Sequence, residues 1–151
     1  ETIETTPERH ARIKEIVSNT NDKHAIVALA KYKKQEDKYL ITDLLGQDDN
    51  LSQQYALLAI AEFPDQSFFP ALEKMLSDEL RKTDNTYSGN SEALYKALAQ
   101  YKSKKVRKLF DRVLRDMKGE QLVKHSDFIY QAVKEYPDPI YDGLRYRHTY
   151  F

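Results

Sequence analysis

Ala59-Ile60-Ala61-Glu62-Phe63-Pro64-Asp65 is the stretch whose reading decides the fold, because much of it returns three times. Ala28-Leu29-Ala30-Lys31-Tyr32 precedes it, and Ala97-Leu98-Ala99-Gln100-Tyr101 and Ala132-Val133-Lys134-Glu135-Tyr136-Pro137-Asp138 follow. The closing aromatics Tyr32, Phe63, Tyr101 and Tyr136 lie 31, 38 and 35 residues apart. Seven positions before each stand Ala25, Ala56, Leu94 and Ile129; four before, Ala28, Ala59, Ala97 and Ala132; three before, Leu29, Ile60, Leu98 and Val133. Apolar residues at offsets of three, four and seven fall on one face of an α-helix, whereas a strand would need alternation. Ten positions before the aromatic, Asp22, Gln53, Ser91 and Ser126 read as helix starts, since short polar side chains accept from the unpaired first amides. In the second copy Asn50 or Ser52 can take that role, and Asn50 with Gln53 resembles a capping box.

A second helix follows each aromatic. Lys34, Asp65, Ser103 and Asp138 occupy its start, and Pro64 and Pro137 stop the helix before it. Pro139 then takes the favoured first-turn position. The first three copies align as Leu40/Ala71/Leu109, Ile41/Leu72/Phe110, Leu44/Met75/Val113 and Leu45/Leu76/Leu114, a second helical stripe. Each unit is therefore a helix–turn–helix hairpin that buries its apolar faces only against a neighbour. The copies span about residues 22–46, 50–82, 91–118 and 126–147, with a helix near Pro7–Ser18 ahead of them, begun by Thr6-Pro7-Glu8. Gly46 and Gly119 read as stops, and Thr83–Asn90 as a polar joint in which Tyr87 stands clear of the stripe.

The expected fold is thus all-α: an α-α superhelix of about four hairpins plus an N-terminal helix, in a single domain of 151 residues. The chain resembles the HEAT-repeat family over about Asp22 to Tyr146, on its paired helices, unequal spacing, Pro/Asp turns and alanine/leucine ladder. It departs in lacking the family's regular Asp and Arg/Lys ladder in the second helices. Tetratricopeptide repeats fit less well: they hold a 34-residue period and place glycine where this chain has alanine. The resemblance implies a scaffold whose second helices line a concave, partner-binding side.

Composition narrows the function. Twenty-four cationic and twenty-four anionic side chains cancel, so bulk attraction to nucleic acid or an acidic membrane is not indicated. The chain has no cysteine, hence neither disulfides nor cysteine-ligated metal. No apolar run reaches the roughly 20 residues of a membrane helix. The chain opens on Glu1 rather than methionine, as a processed product or an excised piece would.

No catalytic constellation, cofactor loop or metal-ligand spacing is expected. His10, His24, His125 and His148 are scattered, and no glycine-rich phosphate loop occurs. His125-Ser126-Asp127 holds triad residue types, but sequence neighbours do not make a triad, and Ser126 reads as a helix cap. Glu62 and Glu135 read as solvated helix-end residues.

The second copy is biased acidic and the third basic. On the third copy's second helix, Val106, Leu109, Phe110, Val113 and Leu114 face inward, leaving Lys104, Arg107, Lys108, Asp111, Arg112 and Arg115 outward. Equivalent positions align as Lys38, Phe69 and Arg107, and as Asp43, Lys74 and Arg112. The expected partner-binding surface is Lys38, Phe69, Lys74, Lys104, Arg107, Lys108, Arg112 and Arg115, facing an acidic protein, with Phe69 either an exposed anchor or a ring packed between repeats. The leading expectation is a non-catalytic protein-binding scaffold. One alternative is an immunity or inhibitor protein whose acidic second copy covers a basic active site. Another is a nucleic-acid-binding relative of HEAT-like DNA glycosylases, against which the zero net charge and the absence of tryptophan weigh.

Overall fold

The computed structural model describes residues 6–19, 22–82 and 89–144. Among them there are eight α-helices, three single 3-10 turns and no strand. The helices are α1 (Thr6–Asn19), α2 (His24–Ala30), α3 (Lys38–Leu45), α4 (Asn50–Glu62), α5 (Phe69–Leu80), α6 (Gly89–Ala99), α7 (Lys104–Asp116) and α8 (Gly119–Glu135). The 3-10 turns Gln35–Asp37 and Gln66–Phe68 lead into α3 and α5, and Pro139–Tyr141 follows α8. No helix among the described residues is long and apolar enough to cross a membrane.

The chain divides into two compact units, Glu1–Asp65 and Gln66–Phe151. In the first, α1 packs on α2, α2 on α4, and α3 on α4. In the second, α5 packs on α6, α6 on α8, and α7 on α8 and the Pro139–Tyr141 turn. Each unit thus sets one ladder helix beside the next, α2 by α4 and α6 by α8.

The repeated stripe is the core. Ala59, Ala97 and Ala132 are fully buried, as are Ile60, Leu98 and Val133, and Leu29 is nearly so. Ala25 and Ala28, in the short helix α2, stay half-buried, as do the closing aromatics Tyr32, Tyr101 and Tyr136, whereas Phe63 is buried. Alanine at these positions lets helix axes approach closely, and the neighbouring aliphatics supply apolar area worth about 1.5–3 kcal/mol per side chain. In the second stripe Ile41, Leu72, Phe110, Leu76 and Val113 are buried, while Leu40, Leu44, Leu109 and Leu114 are half-buried.

The ladder helices end in two alternating ways. After α2 and α6 the residue beyond the aromatic, Lys33 or Lys102, takes a left-handed backbone at φ 54° and 49°. In both, the aromatic and this lysine donate their amides to carbonyls three residues back. After α4 and α8 the aromatic amide reaches four residues back, Phe63 to Ala59 (shared with Ile60) and Tyr136 to Ala132, and a proline follows. The proline prevents a further turn, so no left-handed residue is needed.

Several helix starts differ from the sequence expectation. Asp49, not Asn50 or Ser52, caps α4: its carboxylate accepts from the Ser52 amide at 2.8 Å and lies below its ordinary pKa because Ser52 bonds it through hydroxyl and amide. Ser91 and Ser126 lie inside α6 and α8 and are buried. The fourth ladder helix starts at Gly119 because Leu122 extends its stripe one turn pair further back, and nothing between breaks the helix. Ser103 and Asp138 do cap, accepting from the amides of Val106 and Ile140. Gly46 closes α3, but with a right-handed φ of −79°. Tyr87 and the segment after Leu144, His148 included, lie outside the described residues.

Candidate functional site

Helix α7 carries the sharpest division between apolar and charged faces. Its sequence, Lys-Lys-Val-Arg-Lys-Leu-Phe-Asp-Arg-Val-Leu-Arg-Asp, puts Val106, Phe110 and Val113 against α8 and the turn after it, where all three are buried. Ser103 fixes where the helix begins and hence its rotational phase. Lys104, Lys108, Arg112 and Arg115 then follow at offsets of four, four and three, a single exposed stripe.

Their charges are not equally engaged. Lys104 and Lys108 have no ion-pair partner within 4 Å among the described residues. Arg112 and Arg115 share one carboxylate, Asp116, at 3.8 and 3.0 Å. The Arg115 contact holds Asp116 below its ordinary pKa, chiefly by hydrogen bonding. Four cations thus meet one anion along three turns, in an exposed array that salt screens.

The other expected surface residues are distributed differently. Arg107 is not an outward cation: its guanidinium donates to the carbonyls of Ile140 (2.9 Å) and Asp142 (2.6 Å) and pairs with Asp111 at 3.1 Å. The carbonyls of the turn after α8 converge there, so the arginine bridges α7 to that turn. Phe69 is 4% exposed, packed edge-on against Tyr101 at 5.1 Å with the Lys105 ammonium 4.7 Å over its ring. Of its two readings, the packed ring is what the structure has. Lys105 also reaches Glu73 at 3.2 Å, joining α5 to α7. Lys38 is half-buried and, with Gln35, holds the Asp65 carboxylate at 3.2 Å. Lys74 is exposed, 4.0 Å from Asp78. The position shared by Lys38, Phe69 and Arg107 is therefore a packed one. The position shared by Asp43, Lys74 and Arg112 is exposed in all three copies.

Two polar clusters were not legible as such. In the second unit Tyr95 and His125, both essentially inaccessible, form a 2.7 Å hydrogen bond between hydroxyl and Nδ1. Burial holds the imidazole below its ordinary pKa, against the opposing charge of Glu79. Glu79 takes hydrogen bonds from Ser91 (2.9 Å) and Lys82 (2.8 Å). Ser126 Oγ is buried with no hydrogen-bond partner, and Asp127 is exposed, so the three neighbouring residues do not form a relay.

In the first unit the Asp37 carboxylate, 2% exposed, is hydrogen-bonded to His10 Nε2 at 2.6 Å. Lys14 Nζ lies 3.0 Å from its other oxygen, a contact that raises the lysine's pKa. His10, Glu36 and Asp37 offer ligand atoms within 4.8 Å of one another, a set able to hold a cation. Lys14 already supplies the positive charge there, and the cluster reads as the clamp that fastens α1, which has no buried residue of its own. Sequence separation of 27 residues concealed it.

Compared with protein-family models, curated proteins and solved structures, the chain matches none.

Proposed function

We propose that the chain is a HEAT-like helical-repeat scaffold that binds a partner protein, without catalysis, on the surface formed by its second helices. The observation that carries this is the exposed stripe Lys104, Lys108, Arg112 and Arg115, on a helix whose opposite face packs through the buried Val106, Phe110 and Val113. Support for the repeat comes from the ladder helices lying side by side within each unit and from the burial of their alanines. Four cations that share a single carboxylate along one helix face recognise an acidic patch, contributing most to encounter rate and register. Lys74 belongs to the same recognition surface, while Arg107, Lys38 and Phe69 hold the scaffold that presents it.

The test is capture by the immobilised chain, with mass spectrometry of what is retained, repeated for Lys104→Glu/Lys108→Glu/Arg112→Glu. The reversed-charge protein should retain its melting temperature and lose the captured protein; retention unchanged would refute the placement. The same four cations could face phosphates, so a gel shift with single- and double-stranded DNA belongs beside it. Binding whose salt dependence counts several phosphate contacts would replace the protein partner with nucleic acid.

A further inference from the structure

The first unit holds a groove whose chemistry is opposite to that of α7. A pocket of about 190 Å³ is lined by Val17, Ile26, Leu40 and Leu44, with Asp22, Asp43, Lys23 and Gln47 around it. That leaves room for an aliphatic side chain. A wider, open cavity of about 570 Å³ shares Asp22, Lys23 and Gln47 with it and continues over Leu51 and Tyr55. Leu51 is 53% exposed at this end, an apolar side chain at the first turn of α4 that packing does not require to be apolar. His24 and Tyr55 close the far wall through a 2.9 Å hydrogen bond between Nε2 and the hydroxyl.

The rim is negative. Lys23 has its ammonium 3.5 Å from Asp49, so its charge is already met. That pair neutralises Asp49 in turn, and leaves Asp48, exposed in the same loop, as negative charge outside it. Asp43 is exposed beside Leu40 and Leu44 and has no ion-pair partner within 4 Å among the described residues. An apolar slot next to an unmatched carboxylate selects for an aliphatic group with a cation one residue away.

We propose that this groove is a second recognition site, taking an extended protein segment that places a leucine-like side chain in the slot and an adjacent lysine or arginine on Asp43. The open cavity over Leu51 and Tyr55 accommodates the continuation of that segment. This inference stands on the first unit alone and does not depend on the role of α7.

The experiment is a titration of the whole chain, labelled at Ile, Leu and Val methyl groups, with two tetrapeptides, Ac-Ala-Leu-Arg-Ala-amide and Ac-Ala-Leu-Glu-Ala-amide. The arginine peptide should saturably shift the methyl signals of Val17, Leu40 and Leu44. The glutamate peptide should bind about tenfold more weakly, and Asp43→Lys should reverse the preference, with an unchanged melting curve showing that the variant folds. No shift at about 5 mM arginine peptide, equal binding of the two peptides, or shifts confined to other methyls would each overturn the proposal.

Discussion

The Tyr95 hydroxyl sits 2.7 Å from His125 Nδ1 in the packed seam of α6 and α8, with Phe110 and Phe128 rings within 6 Å of the tyrosine. Burial favours the neutral imidazole, so the folded pKa lies below the unfolded one near 6.5. Between those values the unfolded chain binds more protons, and stability must fall as pH drops below about 6.5. Melting temperature recorded from pH 7 to pH 5 should decline, and His125→Gln should remove part of that decline while lowering stability at pH 7. An identical pH slope in the variant would show that His125 is not the titrating group.

A second buried phenol behaves oppositely. Tyr141 is inaccessible and donates to the Ala99 carbonyl at 2.5 Å, fastening the turn after α8 to the end of α6. Burial raises its pKa well above the ordinary value of 10.0. The folded state therefore keeps a proton that the unfolded chain releases, and stability is lost as pH rises past about 10. Tyr141→Phe should cost about 1 kcal/mol at neutral pH, through the missing hydrogen bond, and should flatten the alkaline limb of a pH-dependent melt.

The ladder was legible because it rests on periodicity, which needs only apolar residues at fixed offsets. Ala59, Ala97 and Ala132 repeat, and each is buried where the stripe puts it. Helix starts were less legible: Ser126 has the chemistry of a cap, but the turn holding Leu122 carries α8 past it, and Ser91 lies two residues inside α6 with its hydroxyl on Glu79. Exposure on the second helices was legible for Lys74, Lys104, Lys108, Arg112 and Arg115, and not where a side chain finds a distant partner. Arg107 and Lys38 stand at outward-looking offsets, yet each finds acceptors, 33 and 27 residues away, that no local pattern announces. The Asp37 clamp was hidden for the same reason.

The buried alanines give a direct test of close helix approach. Ala97→Leu must force added volume into a site with no exposed area and should cost ~1–3 kcal/mol. Leu98→Ala, one residue on and equally buried, should cost ~2–5 kcal/mol through lost burial and the space left behind. Thermal melts in which both were silent would show that the stripe is not the core.

Arg107 and Lys108 are neighbours with opposed roles. Arg107→Ala leaves the Ile140 and Asp142 carbonyls without their donor and should cost ~1–3 kcal/mol. Lys108→Ala, exposed and without an ion-pair partner among the described residues, should leave the melting temperature unchanged while weakening partner capture. Equal destabilisation by the two would remove the distinction between the scaffold and the surface it presents.

The left-handed lysines offer a gain of stability rather than a loss. Lys102 ends α6 at φ 49°, a conformation that costs an L-residue with a side chain roughly 1 kcal/mol and costs glycine almost nothing. Its amide is satisfied by the Ala99 carbonyl whatever the side chain, and the side chain itself is exposed. Lys102→Gly should therefore raise stability by about 0.5 kcal/mol, after the added flexibility of glycine in the unfolded chain offsets part of the relief. The same change at Lys33, which ends α2 with the same hydrogen-bond pattern, should act in the same direction. Glycine in place of Pro64 should do the reverse, because that helix ends without a left-handed residue, and the change removes both the proline's restraint on the unfolded chain and a half-buried ring. Denaturant midpoints of the three variants would show whether the two endings are alternative solutions to one problem; a loss at Lys102 matching the loss at Pro64 would deny it.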